Sequence, residues 1–346
     1  MTIDTILSAS VIICVYTEKR WGDILDAVAS VQRQSTPPRE IIIVVDHNPP
    51  MLERVRAEIP GVVAVENSVT QGLSGARNSG LAAAQGELIA FLDDDATAEP
   101  DWLERLSRCC EDPAVMGAGG TVEPEWLSTQ PRWFPEEFYW VLGCTYQKRP
   151  EKPVVVRNPF GGCTCYKKEL FAAVGGFTTG IGRVGTKPMG GEETELCIRG
   201  HQHWPERIFL YDPHARIHHR IPAARATWSY FRSRCYAEGL SKATIAGLVG
   251  TKDGLSSERS YIISSLLGGV LRGVRDTLIQ RDVTGLQRAA AIVAGFATTV
   301  AGYLVGAITL RFSRKVVASD AQVDSLQPLI THDQQHASHK EGNLTR

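Results

Sequence analysis

The sequence predicts an α/β fold in which helices flank a mainly parallel sheet, followed by a helical appendage. Short apolar runs rich in β-branched residues alternate with segments of helical periodicity through the first part of the chain. This alternation is typical of strand–helix–strand units, whose right-handed crossovers make neighbouring strands parallel. From about residue 224 the pattern becomes helical. A chain of 346 residues is long enough for one large domain and an appendage.

The first 92 residues supply four predicted buried strands. Continuous apolar runs of strand length, typical of a sheet covered on both faces, occupy 10–16, 40–46, 62–66 and 87–92. Helices are predicted between them at 21–34 and 52–58, and after a turn at 72–75, with Ser74 as the N-cap.

The pattern after residue 100 is less regular. Strands are predicted at 115–122, 161–166, 208–211 and 214–220, and helices after Pro100 and at 168–174 and 192–199. Residues 124–159 are rich in Trp, Pro and Tyr, and we interpret them as an ordered excursion over the site. Residues 178–190 are predicted to form a glycine-rich loop.

Charge and cysteine content narrow the classes of function. The chain has 37 basic and 38 acidic residues, which argues against a nucleic-acid-binding protein, since these usually carry a basic excess. None of the eight cysteines forms a CxxC pair, and the N-terminus lacks a basic region followed by an apolar core. We therefore expect a reduced, cytoplasmic catalytic portion, either free or at the inner face of the plasma membrane.

The helical region 224–312 has two features that bear on membranes. Residues 289–310 carry no charge and are about long enough to span a bilayer, so they predict either a membrane anchor or a buried soluble helix. Residues 260–271 are too short to span and could lie at the interface, which extends the possible membrane contact over 260–312. Residues 213–242 hold six Lys or Arg against one acid, which indicates a solvated helix face or a contact with phosphate or a membrane surface. The polar residues 313–346 predict a disordered tail.

Three adjacent carboxylates, Asp93, Asp94 and Asp95, follow the predicted strand 87–92. Such a cluster beside a buried strand is costly unless a cation or ligand neutralises it. Open α/β sheets bind ligands at the carboxyl ends of their strands. Two of these acids could bind one hard cation that in turn holds a diphosphate. The alternative is a polar turn in which Asp95 caps the helix after Pro100.

Four sequence segments resemble motifs of the family 2 glycosyltransferases. They are V-I-I-C-V-Y-T at 11–17, I-I-V-V-D-H-N at 42–48, G-L-S-G-A-R-N-S-G-L-A-A-A-Q-G-E-L-I-A-F-L-D-D-D-A at 72–96, and G-G-E-E-T-E-L at 190–196. Cys14 and Thr17 stand where the family usually has proline and asparagine, and Glu193 stands where it usually has aspartate. The resemblance covers about residues 8–220 and is strongest in the long third segment.

The resemblance implies the GT-A fold, a Rossmann-like sheet flanked by helices. The catalytic domain would be 1–223, with a nucleotide-binding half at 8–122 and an acceptor-side half at 123–223. It also implies an inverting enzyme that uses Mn²⁺ or Mg²⁺. Such an enzyme would move a sugar from a nucleoside diphosphate sugar to a hydroxyl of a glycan, lipid-linked or small-molecule acceptor. A silent nucleotide-sugar-binding scaffold is the alternative, and a sugar-phosphate nucleotidyltransferase is disfavoured because no glycine-rich loop follows the first strand.

By resemblance, seven residues are expected to bind the donor: Tyr16, Asp46, Gly72, Arg77, Asn78, Asp93 and Asp94. Asp46 would accept the imide N–H of uracil or thymine, which favours UDP or dTDP over GDP, and Tyr16 would lie against the base. Arg77 and Asn78, close to Gly72 at a helix start, would reach the ribose or diphosphate. The alternatives are that Asp46 caps the following turn and that Arg77 forms a surface ion pair.

The metal ligands implied by the resemblance lie in two segments. Asp95 would bind the cation directly, and Asp93 would contact the ribose or a metal-bound water, with Asp94 at the variable position of the motif. His219 or its neighbour His218 would complete the metal shell. Sequence leaves this choice open because adjacent residues of a strand face opposite ways.

The catalytic base implied by the resemblance is Glu193, which would remove the proton of the acceptor hydroxyl. Glu192 is the competing candidate. The alternative is that Glu193 is only an acid in the first turn of a helix, where the helix dipole favours negative charge.

Overall fold

A computed structural model describes residues 7–146, 150–183, 189–254 and 261–337. In these ranges nine strands form one mixed sheet. The strands are β1 (Ala9–Val15), β2 (Glu40–Val45), β3 (Val63–Glu66), β4 (Leu88–Leu92), β5 (Ala96–Ala98), β6 (Val115–Trp126), β7 (Val154–Val156), β8 (Cys163–Lys167) and β9 (Ile208–Ile221). They are arranged in the order β3-β2-β1-β4-β8-β6-β9-β5, with β7 also pairing with β9.

The helices flank this sheet and then form the appendage. They are α1 (Trp21–Gln32), α2 (Pro49–Glu58), α3 (Leu73–Ala83), α4 (Trp102–Cys109), α5 (Lys168–Val174), α6 (Glu192–His203), α7 (Trp228–Val249), α8 (Thr251–Gly254), α9 (Leu267–Gln280) and α10 (Val283–Ala337). Short 3₁₀ helices lie at Glu18–Arg20, Glu136–Leu142 and Ala223–Ala226, and a π-helical turn lies at Ile262–Leu266.

The first four strands form the predicted parallel half of the sheet. β1 pairs in parallel with β2 and β4, and β2 pairs in parallel with β3. Their continuous apolar sequence is explained by burial on both faces, because alternate residues of β1 and β2 enter two separate core clusters. The α/β class is therefore confirmed. Beyond β4 the sheet is mixed, since β8 pairs antiparallel with both β4 and β6.

Several predicted elements differ in the structure. The segments 208–211 and 214–220 are one strand, β9, whose pairing with β6 shifts register between Gly120 and Thr121. The short strands β5 and β7 were not predicted; β7 lies in the excursion 124–159, of which 147–149 fall outside the described residues. Residues 184–188 of the predicted loop 178–190 also lie outside them.

The start of α3 differs from the prediction. Its N-cap is Gly72 and not Ser74, because the backbone at Gly72 has a φ of 120°, which favours glycine. The Ser74 hydroxyl instead donates to the carbonyl of Ile181, at 2.7 Å.

Aromatic packing joins the appendage to the catalytic part of the chain. Trp133 and Phe134 from the excursion lie with their ring centres 5.7 and 5.4 Å from that of Phe231 on α7. Phe138 also packs against Phe231, and all of these residues belong to or border the core cluster that begins in β1. The sheet and α7 thus share one hydrophobic core.

The last helix holds the apolar segment predicted at 289–310. By length and composition Val283–Phe312 could cross a membrane, and only 28% of its most apolar window is buried in the protein. α10 continues to Ala337, so residues 313–337 are helical where the sequence predicted a disordered tail. Polar composition alone does not end a helix that continues from an apolar one. Residues 338–346, and residue 260 of the predicted interfacial segment 260–271, fall outside the described residues.

Glycines bring α7 and α10 into close contact. A methyl group at Gly302 of α10 would overlap the carbonyl of Tyr236, and one at Gly239 of α7 would overlap that of Thr299. The two helix backbones therefore touch at positions where only glycine fits.

We expect Gly302→Ala to destabilise the folded chain by about 1–3 kcal/mol, because α10 must move away from α7 to admit the methyl group. Thermal unfolding of the full chain in detergent would measure the loss. Ala301→Val, at the exposed neighbouring position, is the matched control and should change the unfolding temperature little. Equal effects of the two variants would show that this contact does not hold the helices together.

Candidate active site

A cavity of about 860 Å³ opens at the carboxyl ends of β1, β2 and β4. Its lining includes Tyr16 after β1, Asp46 after β2 and the three aspartates after β4, and Glu192 and Glu193 at the start of α6 also contribute to it. Most of the candidate residues predicted from separate motifs therefore meet around one space, whereas Gly72, Asn78 and His218 are not among the residues that line it.

Strand pairing brings a histidine to the aspartates. β5 follows Asp95 directly and pairs antiparallel with β9, which places Ala96 opposite His219. The ligand atoms of Asp93, Asp95 and His219 lie within 4.8 Å of one another. His219 Nε2 is 2.9 Å from Asp95 Oδ1. Their oxygen and nitrogen donors suit a divalent cation such as Mn²⁺ or Mg²⁺.

His218 does not join this cluster. Its Nε2 atom lies 3.3 Å from Glu99 Oε1, and its side chain is 40% exposed. Adjacent strand residues face opposite ways, so His219 enters the cavity and His218 cannot. Of the two histidines that the sequence left open, the structure brings only His219 to the aspartates.

Two arginines that the sequence did not predict bind Asp95. Arg20 Nη1 is 2.6 Å and Arg225 Nη2 is 3.1 Å from Asp95 Oδ2. Burial opposes the charged form of Asp95, but His219, Arg225 and Arg20 together hold the pKa of that carboxyl well below its usual range. Asp95 therefore does not cap α4, whose N-cap is Asp101.

The neighbouring Asp94 has the opposite electrostatic setting. Burial and the charge of Asp95 raise the pKa of Asp94 to about 8, against the effect of Arg20. Arg20 Nη1 is 3.0 Å from Asp94 Oδ1, whereas Asp94 Oδ2 is buried and has no hydrogen-bond partner among the described residues. An unsatisfied carboxylate oxygen beside two candidate ligands fits a site that takes additional positive charge.

Two adjacent glycines pack against carboxylates that line the cavity. A methyl group at Gly162 would lie 2.5 Å from Asp93 Oδ2, and one at Gly161 would lie 3.0 Å from Glu193 Cδ. The adjacent glycines thus leave room for one carboxylate each, which gives a physical reason for the Gly161-Gly162 pair.

The two glutamates at the start of α6 are in different environments. Glu192 is buried, and its Oε1 atom is 2.8 Å from Nη1 of the buried Arg77. Glu193 lines the cavity, and burial together with the charge of Glu192 raises the pKa of Glu193 to about 8, against the effect of Arg77. Glu192 is therefore held as an ion pair, and Glu193 can exchange a proton near neutral pH.

Two predicted donor-binding residues have structural partners. Arg77 lines the cavity but donates to Glu192 and, at 3.3 Å, to the carbonyl of Gly161, so it is a buried ion pair and not a surface one. The Asn78 amide donates to the carbonyl of Phe177 and accepts from its N–H, each at 2.8 Å. The structure gives Asn78 a positioning role, because its amide fixes the turn after α5 to α3 instead of facing the cavity.

The nucleotide end of the cavity is built around Asp46. Its oxygens accept hydrogen bonds from Asn67 Nδ2 at 2.6 Å and from the N–H of Gly72 at 3.0 Å. Asp46 does not cap the following helix, because Asn48 accepts the N–H of Met51 there. Tyr16 is half-exposed, and the guanidinium of Arg20 lies 5.1 Å from its ring centre.

The sequence pattern gave an indication of Arg225 but none of Arg20, the two arginines that were not predicted as site residues. Arg225 belongs to the basic excess noted at 213–242 and follows His219 by six residues. Arg20 stands in a short 3₁₀ helix between β1 and α1, and no local pattern connects it with Asp95.

The sequence model of the family described as "Glycosyl transferase family 2" matches residues 10–175. The chain is 33% identical over 307 residues to the glucosyl-dolichyl phosphate glucuronosyltransferase of Haloferax volcanii, covering 88% of this chain and 97% of that protein. It is 24% identical to the succinoglycan biosynthesis protein ExoM of Rhizobium meliloti, covering 72% of this chain and 83% of that protein.

Among solved structures, the fold is similar to that of the mannosyltransferase PcManGT of Pyrobaculum calidifontis, solved with GDP-Man and Mn²⁺. The TM-score is 0.53 at 15% identity, and the match covers 85% of this chain and 87% of that one. This likeness concerns the fold and supports the predicted GT-A architecture.

The raised pKa of Glu193 predicts a pH dependence of stability. Its pKa is about 8 in the folded chain against an ordinary 4.5 when unfolded. Between these values the folded state holds a proton that the unfolded state has released, so the contribution of Glu193 to stability falls as pH rises through this window. We expect Glu193→Gln to remove this fall and to unfold at a higher temperature than the wild type at pH 9, with little difference at pH 4.5.

Glu192→Gln is the matched comparison for this measurement. It should lower the unfolding temperature, because it leaves the buried Arg77 without its ionic partner. If Glu193→Gln does not unfold at a higher temperature than the wild type at pH 9, then the pKa of Glu193 is not raised in the folded chain.

Proposed function

Since the chain belongs to glycosyltransferase family 2, we propose that it is an inverting, metal-dependent enzyme that transfers a sugar from a nucleoside diphosphate sugar to an acceptor hydroxyl. One observation carries this proposal. A single cavity holds a candidate cation site, Asp93, Asp95 and His219, and a separate carboxylate, Glu193, whose pKa is near neutral.

The donor end of the cavity supports a pyrimidine nucleotide. Asp46 Oδ1 is within hydrogen-bond distance of both Asn67 Nδ2 and His47 Nδ1, whereas Oδ2 accepts from the N–H of Gly72 and has capacity for one more donor. Oδ2 can therefore accept the imide N–H of uracil or thymine. Tyr16 offers an exposed ring for the base. This supports UDP or dTDP over GDP as the donor nucleotide.

Mn²⁺ or Mg²⁺ fits the oxygen and nitrogen donors of Asp95, Asp93 and His219. A bound cation would supply Lewis-acid stabilisation of the departing nucleoside diphosphate. Arg20 and Arg225 lie beside Asp95, so their guanidinium groups are placed to contact a diphosphate oxygen at the same point. The Mn²⁺ in the solved mannosyltransferase makes manganese the first ion to test.

Glu193 is the proposed base. In its ionised form it would take the proton of the acceptor hydroxyl while the oxygen attacks the anomeric carbon from the face opposite the nucleotide. A pKa of about 8 makes the carboxylate a stronger base than an exposed glutamate and leaves a usable ionised fraction at neutral pH. The Glu192–Arg77 ion pair keeps the first turn of α6 in place.

The acceptor is proposed to be a glycan, lipid-linked or small-molecule hydroxyl. The relative in Haloferax volcanii is named for a dolichyl-phosphate-linked substrate, which supports the lipid-linked class and membrane association. The apolar segment Val283–Phe312 is consistent with membrane contact through 260–312. We propose that the catalytic part, residues 1–223, works at the cytoplasmic face.

Hydrolysis of donor sugars tests the proposed function. A panel of UDP-, dTDP- and GDP-sugars should include one from which the purified chain releases nucleoside diphosphate only with Mn²⁺ or Mg²⁺. Asp95→Asn should reduce this rate roughly a hundredfold or more, because a neutral amide is a poor cation ligand. Metal-independent binding of the donor with no release from any sugar would instead identify a silent scaffold.

Two glycine variants refine the assignment of the ends of the site. Gly162→Ala should weaken Mn²⁺-dependent nucleotide binding, since its methyl group displaces the Asp93 carboxylate. Gly161→Ala should leave that binding unchanged and slow the transfer, since it displaces Glu193. Isothermal titration with the nucleotide and Mn²⁺ measures the first effect, and the same result for both variants would contradict the assigned geometry.

The base assignment makes a separate prediction. Glu193→Gln should retain Mn²⁺-dependent nucleotide binding and lose roughly 10²–10⁴-fold in transfer rate. The transfer rate of the wild type should rise with pH up to about 8, as Glu193 ionises. If Glu192→Gln is folded and inactive while Glu193→Gln is active, then Glu192 is the base.

A further inference from the structure

One guanidinium group contacts both the aspartates and the aromatic ring at the donor end of the cavity. Arg20 is the last residue of a short 3₁₀ helix and lines the cavity. Its Nη1 atom is 2.6 Å from Asp95 Oδ2 and 3.0 Å from Asp94 Oδ1. Its guanidinium carbon is 5.1 Å from the ring centre of Tyr16. Arg20 therefore lies between the ring proposed to hold the nucleobase and the carboxylate proposed to bind the cation.

The hydrogen-bonding capacity of Arg20 is only partly used. A guanidinium presents its N–H donors in a planar fork that matches phosphate oxygens. Nη1 makes both ion pairs of Arg20, whereas Nη2 and Nε have no hydrogen-bond partner among the residues that the structure describes. The side chain is 20% exposed and lines the cavity, so a ligand can reach it.

Arg225, the other arginine beside Asp95, is held on two sides. Its Nη2 atom is 3.1 Å from Asp95 Oδ2, and its Nη1 atom is 3.3 Å from His219 Nε2. Its side chain is 13% exposed, and it is not among the residues that line the cavity. Both terminal nitrogens of Arg225 thus have protein partners. Of the two arginines, Arg20 is the one whose position allows it to exchange a protein partner for a ligand.

Arg20 and a cation need the same negative charge. Asp95, Asp93 and His219 offer the ligand atoms of the candidate cation site. Asp95 Oδ2 already pairs with Arg20 and Arg225, and Oδ1 lies 2.9 Å from His219 Nε2. Positive charges that share one buried carboxylate repel each other, because burial weakens the screening between them. Arg20 therefore disfavours a divalent cation that binds alone.

A diphosphate removes this conflict between like charges. Its oxygens accept charge-assisted hydrogen bonds from an arginine, and they also bind divalent cations. Tyr16 and Asp95 both contact Arg20, so a donor with its nucleobase on Tyr16 and its diphosphate near Asp95 passes beside this guanidinium. Rotation about the side-chain bonds is enough to turn the guanidinium from the carboxylate to the diphosphate.

We propose that Arg20 couples the binding of the cation to the binding of the donor. Arg20 pairs with Asp95 as long as no donor is bound, and it transfers to the diphosphate when the donor and the cation bind together. Arg225 keeps its contacts with Asp95 and His219 throughout. This inference rests on the proposed function and assigns the residue that opposes the binding of the metal ion without the donor. The coupling is reciprocal, so the cation and the nucleotide strengthen each other's binding by the same factor.

Binding of Mn²⁺ alone to the full chain in detergent tests the competition. Arg20→Gln should bind Mn²⁺ roughly tenfold more tightly than the wild type, because a positive charge beside Asp95 is lost. Electron paramagnetic resonance of the free Mn²⁺ measures the affinity without any nucleotide. Lys19→Gln, at the exposed neighbouring position, removes the same charge and should bind Mn²⁺ as the wild type does. Unchanged or weaker binding of Mn²⁺ by Arg20→Gln would overturn the proposal.

Nucleotide binding by the same variant completes the test. Isothermal titration with saturating Mn²⁺ uses whichever of UDP, dTDP and GDP the wild type binds most tightly. Arg20→Gln should weaken this nucleotide roughly tenfold or more by the loss of a charged hydrogen bond, although it binds Mn²⁺ more tightly. A residue that only contacts the diphosphate would leave the affinity for Mn²⁺ alone unchanged, and a residue that only stabilises the fold would weaken both ligands. Either result contradicts the coupling.

Chemical modification of the wild type tests the exchange without any substitution. Phenylglyoxal modifies guanidinium groups, and an ion pair slows the reaction. Mn²⁺ alone should accelerate the modification of Arg20 by weakening its pairing with Asp95, and further addition of the nucleotide should protect Arg20. Arg56, whose side chain is 52% exposed, is the internal control in the same peptide mass spectra and should react equally in all samples. Protection of Arg20 by Mn²⁺ alone, or no effect of Mn²⁺ on Arg20, would contradict the exchange.

The failure of this inference is distinguishable from the failure of the proposed function. Metal-dependent release of nucleoside diphosphate from a donor sugar, together with unchanged binding of Mn²⁺ alone by Arg20→Gln, would overturn the coupling and leave the proposed function intact. A wild type that neither binds a nucleoside diphosphate nor hydrolyses any donor sugar would overturn both.

Discussion

The structure depends on neutralising the buried negative charge of Asp95 at the end of β4. A carboxylate in this place is stable only with partners, and the three that it has come from distant parts of the chain. Arg20 enters from the connection between β1 and α1, His219 from β9, and Arg225 from the 3₁₀ helix before α7. The three partners of Asp95 therefore connect the nucleotide-binding strands, the acceptor side and the start of the appendage.

A second buried ion pair gives the two glutamates at the start of α6 different environments. Arg77 compensates Glu192, and it lies against the rings of Phe91 and Phe177, at 5.3 and 5.2 Å. Burial is the main cause of the raised pKa of Glu193, and the charge of the neighbouring Glu192 adds to it. Neighbouring acids thus meet different environments, because Arg77 of α3, a helix far away in sequence, pairs with Glu192.

Sequence patterns predicted the parts of the fold that depend on local regularity. The strands β1, β2 and β4 follow from continuous apolar runs, and the placement of Asp93 and Asp95 follows from the strand that precedes them. What sequence could not predict depends on long-range pairing. The register between β5 and β9 decides that His219 and not His218 faces the aspartates. Asn78 looked like a ligand-binding residue because a helix start favours phosphate, but its amide pairs with the backbone of Phe177. No sequence pattern pointed to Arg20, since its partner Asp95 is 75 residues away.

The cavity joins residues from the sheet and from the helical appendage. Asp93, Asp95 and His219 offer ligand atoms that suit a cation, and a bound cation would attract the diphosphate of a donor. α10 contributes Phe296 and Val300 to the same cavity, and its position is fixed by glycine contacts with α7. The helix that holds the apolar segment is thus joined, through one packed interface, to the cavity that contains the proposed base Glu193.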